Sequence, residues 1–311
     1  MPPTKAWTAD DLPDLFGKLI VVTGANSGIG FQAAKEFANK GASVVLACRS
    51  IEKARAAAAL ITAARSQASV DVMELDLAHL ESVHNFARNF GARHRNLHVL
   101  CNNAGVMALP YRRTTDGFEM QFATNHLGHF ALTGLLLETL LRTEGARVVT
   151  VSSGAHWMGG IRFDDLQSER FYSEWLAYGQ SKLANLLFAF ELQRRAEWAG
   201  VNLISLACHP GYAATNLQSA GPRMQGLWML EIAMGFANLL FAQSAAMGAL
   251  PLLYAAAAPG VAGGDYIGPD GFGELRGYPT RVSCSPAARD TTTAQRLWDI
   301  SEQLSGVRFS L

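Results

Sequence analysis

The stretch LIVVTGANSGIGFQAAKEFANK, residues 19–40, decides the fold. Its first five residues form a short, continuous apolar run, the pattern of a strand buried on both faces. Glycines follow at 24, 28 and 30, and then Ala33, Ala34, Phe37 and Ala38 recur at the spacing of one helix face. Strand, glycine turn and helix in that order open a dinucleotide-binding unit. The glycines allow a tight turn, close approach of the backbone to a diphosphate, and close packing of the helix. The first N–H groups and positive dipole end of the helix then attract the anion. The spacing is G-x3-G-x-G, so the strand before and the helix after carry the reading, not the glycines alone.

Working outward, apolar runs at 19–23, 43–48, 69–75, 98–101, 147–152, 202–208 and 265–267 alternate with helical patterns at 28–40, 51–65, 80–94, 117–142 and 175–198. Such alternation predicts an α/β protein: a single doubly wound, Rossmann-type domain with a parallel sheet of about seven strands and helices on both faces. No repeat of domain-building period and no linker divides the chain. Residues 1–16 are expected to be an N-terminal extension and 17–311 the single domain.

Hydrophobic residues make up 49% and charged residues 17% of the 311, enough apolar material for a large core and too little charge for disorder. Formal net charge is zero, which gives no electrostatic reason to expect nucleic acid as a partner. Cys48, Cys101, Cys208 and Cys284 lack metal-ligand spacing and read as small buried hydrophobes in a reducing compartment. The polar, acidic start MPPTKAWTADDLPDLFGK lacks the apolar core of a signal peptide, so the expected location is cytoplasmic. Residues 232–259 carry no charge and exceed the ~20 residues of a membrane helix. Gly235, Asn238, Gln243, Ser244, Gly248 and Pro251 interrupt them, so no membrane span is expected. Peripheral membrane contact, or the interface of a homo-oligomer, stays open for this stretch.

The second strand, SVVLACRS, selects the dinucleotide. An acid at its end would accept hydrogen bonds from the ribose 2′-hydroxyl of NAD(H); none occurs from residue 41 to 51. Arg49 stands there instead, with a guanidinium matched to a 2′-phosphate, and Ser50 and Lys53 are placed to help. NADP(H) is therefore preferred over NAD(H). Asp76 ends the third strand in ELDLA and the fourth ends in CNNAG, residues 101–105; both fit the rim of the same cleft, or ordinary turns.

In LAYGQSKLANLLFAFEL, residues 176–192, Tyr178 and Lys182 lie one helical turn apart on one face. Together with TGANSGIG, CNNAG, NHLGHF, VSSGAH and HPGYAAT, in this order, the chain resembles the short-chain dehydrogenase/reductase family over residues 17–270. The details ACRS, VSSGAHWMG, FDDLQSER and AYGQSKLANLLF look closest to its retinol-dehydrogenase-like and WW-domain-oxidoreductase-like branch, which mostly prefers NADP(H). The resemblance implies a catalytic tetrad of Asn125, Ser153, Tyr178 and Lys182, with Ser153 favoured over its neighbour Ser152. It implies cofactor contacts from Gly24, Asn26, Ser27, Gly28, Ile29, Gly30, Asp76, Leu77, Asn103, Ala104 and Gly105. Pro210 and Gly211 would turn the chain beside the nicotinamide, and Thr215 would contact its carboxamide.

The chemistry supports this assignment. Hydride transfer to a carbonyl leaves an alkoxide that needs a proton. A free phenol titrates near ~10, so a nearby lysine cation is expected to lower it. Tyr178 would be the acid in reduction and the base in oxidation, Ser153 would steady the substrate oxygen, and Asn125 would order a water leading to Lys182. His209 reads as structural. His126 and His129, three apart, lack a third metal ligand and read as helix packing.

Residues 212–240 occupy the family's substrate segment, and Trp228, Met229, Leu230, Met234 and Phe236 make it apolar. The expected substrate is a small lipophilic carbonyl or alcohol, such as an aldehyde, ketone, retinoid or steroid; packing on the fold is the alternative use of these side chains. Two rival functions remain: a double-bond reductase of the protochlorophyllide-reductase type, and a non-catalytic NADP(H)-binding redox sensor. Sensors of this fold often lose the tyrosine or lysine, and both are present here.

Overall fold

The computed structural model describes residues 6–212 and 243–311. Among them one sheet of eight strands runs β1 (Leu19–Thr23), β2 (Ser43–Cys48), β3 (Ser69–Glu74), β4 (Val99–Asn102), β5 (Ala146–Val151), β6 (Leu203–Cys208), β7 (Tyr266–Pro269) and β8 (Pro279–Arg281) in sequence. In space the order is β3-β2-β1-β4-β5-β6-β7-β8. All pairings are parallel except β7 with β8, which is antiparallel. The seven expected strands are present, and β8 corrects the expected number. It is three residues long and begins at Pro279, too short to show a hydrophobic period.

The helices are α1 (Gly28–Asn39), α2 (Ile51–Ala64), α3 (Leu80–Arg93), the single turn α4 (Met120–Phe122), α5 (Gly128–Leu141), α6 (Glu174–Trp198), α7 (Ala245–Ala257) and α8 (Thr291–Ser305). Period-two alternation along the strands divides them between two layers. Ile20, Val22, Val44, Leu46, Val149 and Val151 pack against α1, α2 and α7. Val21, Val45, Leu100 and Val148 pack against α3, α5, α6 and α8. Because both faces are covered, the central strands read as unbroken apolar runs.

The described part of the N-terminal extension is stitched to the first layer. Leu12 and Leu15 are buried in it, and Trp7 meets Tyr254 of α7 edge-on at 5.1 Å. The uncharged stretch contributes α7, which is 13 residues long, contains Pro251 and packs in the same layer. No described helix is long and apolar enough to cross a membrane.

The sheet order reverses between β1 and β4. In open α/β sheets the crevice beyond the strand ends at that point is where ligands bind.

Candidate active site

A cavity of about 560 Å³ opens at this crevice, lined by the β1–α1 turn, residues 103–105, Ser152, Ser153, Tyr178, Lys182 and Pro210–Tyr212. The turn fits a diphosphate. Gly24 adopts φ +67°, a backbone conformation that disfavours side chains, and a Cβ on Gly30 would lie 2.5 Å from Asn103 Nδ2 and 2.7 Å from the Gly24 carbonyl. Ser27 precedes α1 but its side chain makes no capping bond. The opening N–H groups of α1 therefore face the cavity unclaimed by a cap, as an anion site requires. Asn26, Ser27, Gly28 and Ile29 all line it.

Asn103 braces this cradle from the neighbouring strand. Its side-chain amide donates to the Thr23 carbonyl at 2.7 Å, while the backbone N–H groups of Asn103 and Ala104 donate to the Thr23 hydroxyl at 2.9 Å each. Asp76 and Leu77 are not among the lining residues. Asp76 Oδ1 accepts from the Ala78 N–H at 3.0 Å, the ordinary turn role, and Leu77 is buried with its carbonyl against Gly128. Arg49 is exposed at the end of β2 with no described ion pair. Ser50 caps α2, its hydroxyl accepting from the Lys53 N–H at 3.4 Å.

Three of the candidate tetrad, Ser153, Tyr178 and Lys182, line the cavity, and Asn125 is buried outside its lining. Tyr178 is 5% and Lys182 3% exposed, because α6 is buried from Ala177 to Leu192. Lys182 Nζ sits 5.7 Å from the Tyr178 ring centre and donates to the Val151 carbonyl at 3.2 Å. Ser152 turns its hydroxyl inward, donating to the Lys182 carbonyl at 2.8 Å. The Ser153 side chain lies near enough to Tyr178 to favour its phenolate, and its hydroxyl accepts from the Ala155 N–H at 3.2 Å.

Asn125 lies in a five-residue π-helical turn, Ala123–Leu127, between α4 and α5. Its side-chain amide is fully engaged: Oδ1 accepts from the Val106 N–H at 2.7 Å, and Nδ2 donates to the Val106 carbonyl and the Ser181 hydroxyl, both at 2.9 Å. Gly105 is where Asn125 and Lys182 meet, since a Cβ there would lie 3.1 Å from Asn125 Oδ1 and 3.5 Å from Lys182 Nζ.

Burial pushes Tyr178 up to about 12, with the Ser153 hydroxyl pulling the other way. Lys182 Nζ is engaged by the Val151 carbonyl, and burial pushes Lys182 itself down to about 8. Low-dielectric surroundings disfavour both charged forms.

His209 Nε2 lies 3.0 Å from Glu274 Oε2, next to the Pro210–Gly211 turn. Thr215 and the apolar segment's Trp228, Met229, Leu230, Met234 and Phe236 lie outside the described residues. The chain leaves at Tyr212 and returns at Gln243, whose N–H donates to the Tyr212 carbonyl at 2.9 Å beside the cavity. Met107, Trp175 and Tyr212 also line the cavity, and sequence reasoning missed them as lining residues. Trp175 had a signal, three residues before Tyr178 on the same helix face; Met107, in an irregular loop, had none.

The family model described as short chain dehydrogenase matches residues 18–225, two thirds of the chain. The chain is a short-chain dehydrogenase. Within the family it falls in the retinol-dehydrogenase-like branch: it is 44% identical over 295 residues to human retinol dehydrogenase 12, covering 94% of this chain and 88% of that protein. The crystal structure of an uncharacterized protein from Mycobacterium paratuberculosis is similar with a TM-score of 0.81 and 44% identity, covering 98% of this chain and 100% of that one. A short-chain dehydrogenase from Escherichia coli CFT073, solved with NADPH, matches at a TM-score of 0.55 and 25% identity over 67% of this chain and 82% of that one. As a short-chain dehydrogenase the protein is an NAD(P)-dependent oxidoreductase acting between an alcohol and a carbonyl.

Proposed function

We propose that this short-chain dehydrogenase reduces lipophilic aldehydes or ketones with NADPH, through Asn125, Ser153, Tyr178 and Lys182. The observation that carries the proposal is the burial of Tyr178 and Lys182 together on one cavity wall, facing an uncapped helix N-terminus. When bound, the cofactor supplies the hydride. Ser153 and Tyr178 hold the substrate oxygen, and Tyr178 delivers the proton to it. A phenol pushed up to about 12 stays neutral at physiological pH, the state a proton donor needs. Lys182, engaged by Val151 and adjacent to Asn125, is the source from which Tyr178 is reprotonated.

Arg49 at the end of β2, with no acid beside it, supports NADP(H), and the Escherichia coli relative was solved with NADPH. Met107, Trp175 and Tyr212 give the cavity apolar walls, which suits the lipophilic alcohols named by the retinol dehydrogenase relatives.

The test follows NADPH and NADH consumption over short, aromatic, steroidal and long-chain carbonyls. Tyr178→Phe is expected to lower turnover by about 10²–10⁴-fold while NADPH still binds. Arg49→Ala is expected to raise the KM for NADPH about tenfold or more and leave that for NADH unchanged, as loss of a charge-assisted hydrogen bond predicts. Full activity in Tyr178→Phe would overturn the mechanism. NADPH binding without turnover of any carbonyl would shift the case to a nucleotide sensor.

A further inference from the structure

His129 was read from sequence as helix packing, yet its ring joins two parts of the site. It is 1% exposed in α5, one turn beyond Asn125. Nδ1 lies 3.0 Å from the Asn125 backbone carbonyl, and Nε2 lies 2.9 Å from the Thr23 hydroxyl.

A hydrogen inventory fixes the ring proton. Thr23 Oγ1 accepts the Ala104 N–H and shares the Asn103 N–H with the Cys101 carbonyl, which lies 2.9 Å from that nitrogen. Its one proton goes either to the Cys101 carbonyl at 3.3 Å or to His129 Nε2 at 2.9 Å. A carbonyl only accepts, so Nδ1 carries the ring hydrogen and donates it to Asn125. Nε2 is then bare and takes the Thr23 proton. Every group in the chain from the Asn103 and Ala104 amides to Asn125 is satisfied in one arrangement, with the imidazole neutral. Burial pushes this histidine down to about 4, with the Asn125 carbonyl opposing and Lys182 reinforcing the fall.

His126 makes the contrast. Its Nε2 meets Ser301 of α8 at 2.9 Å, away from the cavity, and its Nδ1 has no described partner. Of the two histidines, only His129 reaches the site.

We infer that His129 is a positioning residue that holds the nucleotide cradle, through Thr23 and the Asn103–Ala104 amides, in register with the catalytic π turn, through the Asn125 carbonyl. The inference rests on the roles given above to that cradle and to Asn125. It separates two functions of one ring. The Nε2 end governs cofactor binding, and the Nδ1 end governs turnover.

Asn and Gln divide the ring's two contacts between them. His129→Asn keeps an N–H donor at the δ position for the Asn125 carbonyl and gives up Thr23. His129→Gln keeps an acceptor at the ε position for Thr23 and gives up Asn125. Steady-state kinetics with the best carbonyl from the panel would be paired with NADPH titration by fluorescence. His129→Asn is expected to weaken NADPH binding about tenfold with kcat within about threefold of wild type, and His129→Gln to do the reverse. Parallel losses of both constants in both variants, or no change in either, would overturn the inference.

Should neither variant fold, long-range ¹H–¹⁵N spectra of histidine-labelled wild-type protein decide the matter. One buried, neutral Nδ1–H imidazole beside the NADPH site, its signals moving when NADPH is added, is expected. An Nε2–H tautomer or an imidazolium there overturns it. Tyr178→Phe separates the two levels: full turnover in that variant removes the tetrad assignment, while the tautomer still judges His129.

Discussion

At the scale of single residues, spacing revealed Tyr178 and Lys182 because one helical turn is short enough to bring two side chains together in any context. The choice between Ser152 and Ser153 is a matter of which way adjacent strand residues point. Only the fold shows Ser152 donating inward to Lys182 while Ser153 meets Tyr178. The pair His126 and His129 carries a consequence for acid stability. Burial pushes His126 down to about 3, with His129 adding to the effect, and His129 down to about 4. In the unfolded chain both titrate near ~6.5, so on acidification the unfolded state takes up protons that the folded state refuses. The stabilisation is complete above ~6.5 and is lost as pH falls toward the folded values. Between pH 7 and 5 each imidazole is expected to withdraw about 2 kcal/mol of stability. Urea unfolding at the two pH values checks this, and an unchanged midpoint would mean that the buried rings accept protons in the folded protein.

At the scale of elements, central strands were legible because burial on both faces demands continuous apolar residues. The helical pattern at 117–142 is present as an unbroken helical run from Met120 to Leu141, but a π turn at Ala123–Leu127, between α4 and α5, interrupts its α-helical bonding. The Gly128 N–H bonds back to the Ala123 carbonyl, five residues away, which a 3.6-residue period cannot register. Glu119 makes that entry: its buried carboxylate accepts from the Gln121 and Phe122 N–H groups at 2.8 and 2.7 Å. The β1–α1 turn gives the element-scale prediction. Gly30→Ala would drive a methyl into the Gly24 carbonyl and Asn103, separating turn from brace. It is expected to cost about 1–3 kcal/mol and to weaken NADPH binding more than tenfold. Calorimetry with and without NADPH measures both, and wild-type affinity would show that the turn is looser than its contacts indicate.

At the scale of the whole molecule, the far layer is closed by its own C-terminus. Trp298 of α8 is 2% exposed, with ring centres 4.5 Å from Phe309, 5.1 Å from Phe130 and 5.8 Å from Phe188. The Arg195 guanidinium lies 4.4 Å from the Trp298 ring centre. The side chains come from α5, α6, α8 and the tail, so no local window of sequence holds the cluster. Trp298→Ala is expected to destabilise by about 3–5 kcal/mol in urea unfolding, and a loss under about 1 kcal/mol would show the layer repacking without it. None of these aromatic residues lines the cavity, so the surviving folded fraction should bind NADPH normally.

The sequence alone determined the sheet class, the glycine cradle and the Tyr178–Lys182 pair, because each depends on residues close together in the chain and on periods of two or 3.6. The tertiary structure alone decided the eighth strand, the π turn holding Asn125, the inward turn of Ser152 and the Thr23–His129–Asn125 chain. It also decided that Tyr178 and Lys182 would be buried together, which raises the tyrosine and lowers the lysine. Each of these depends on groups tens of residues apart meeting in a medium from which water is excluded. There the available hydrogen-bond partners, and the penalty on isolated charge, outweigh anything local spacing encodes.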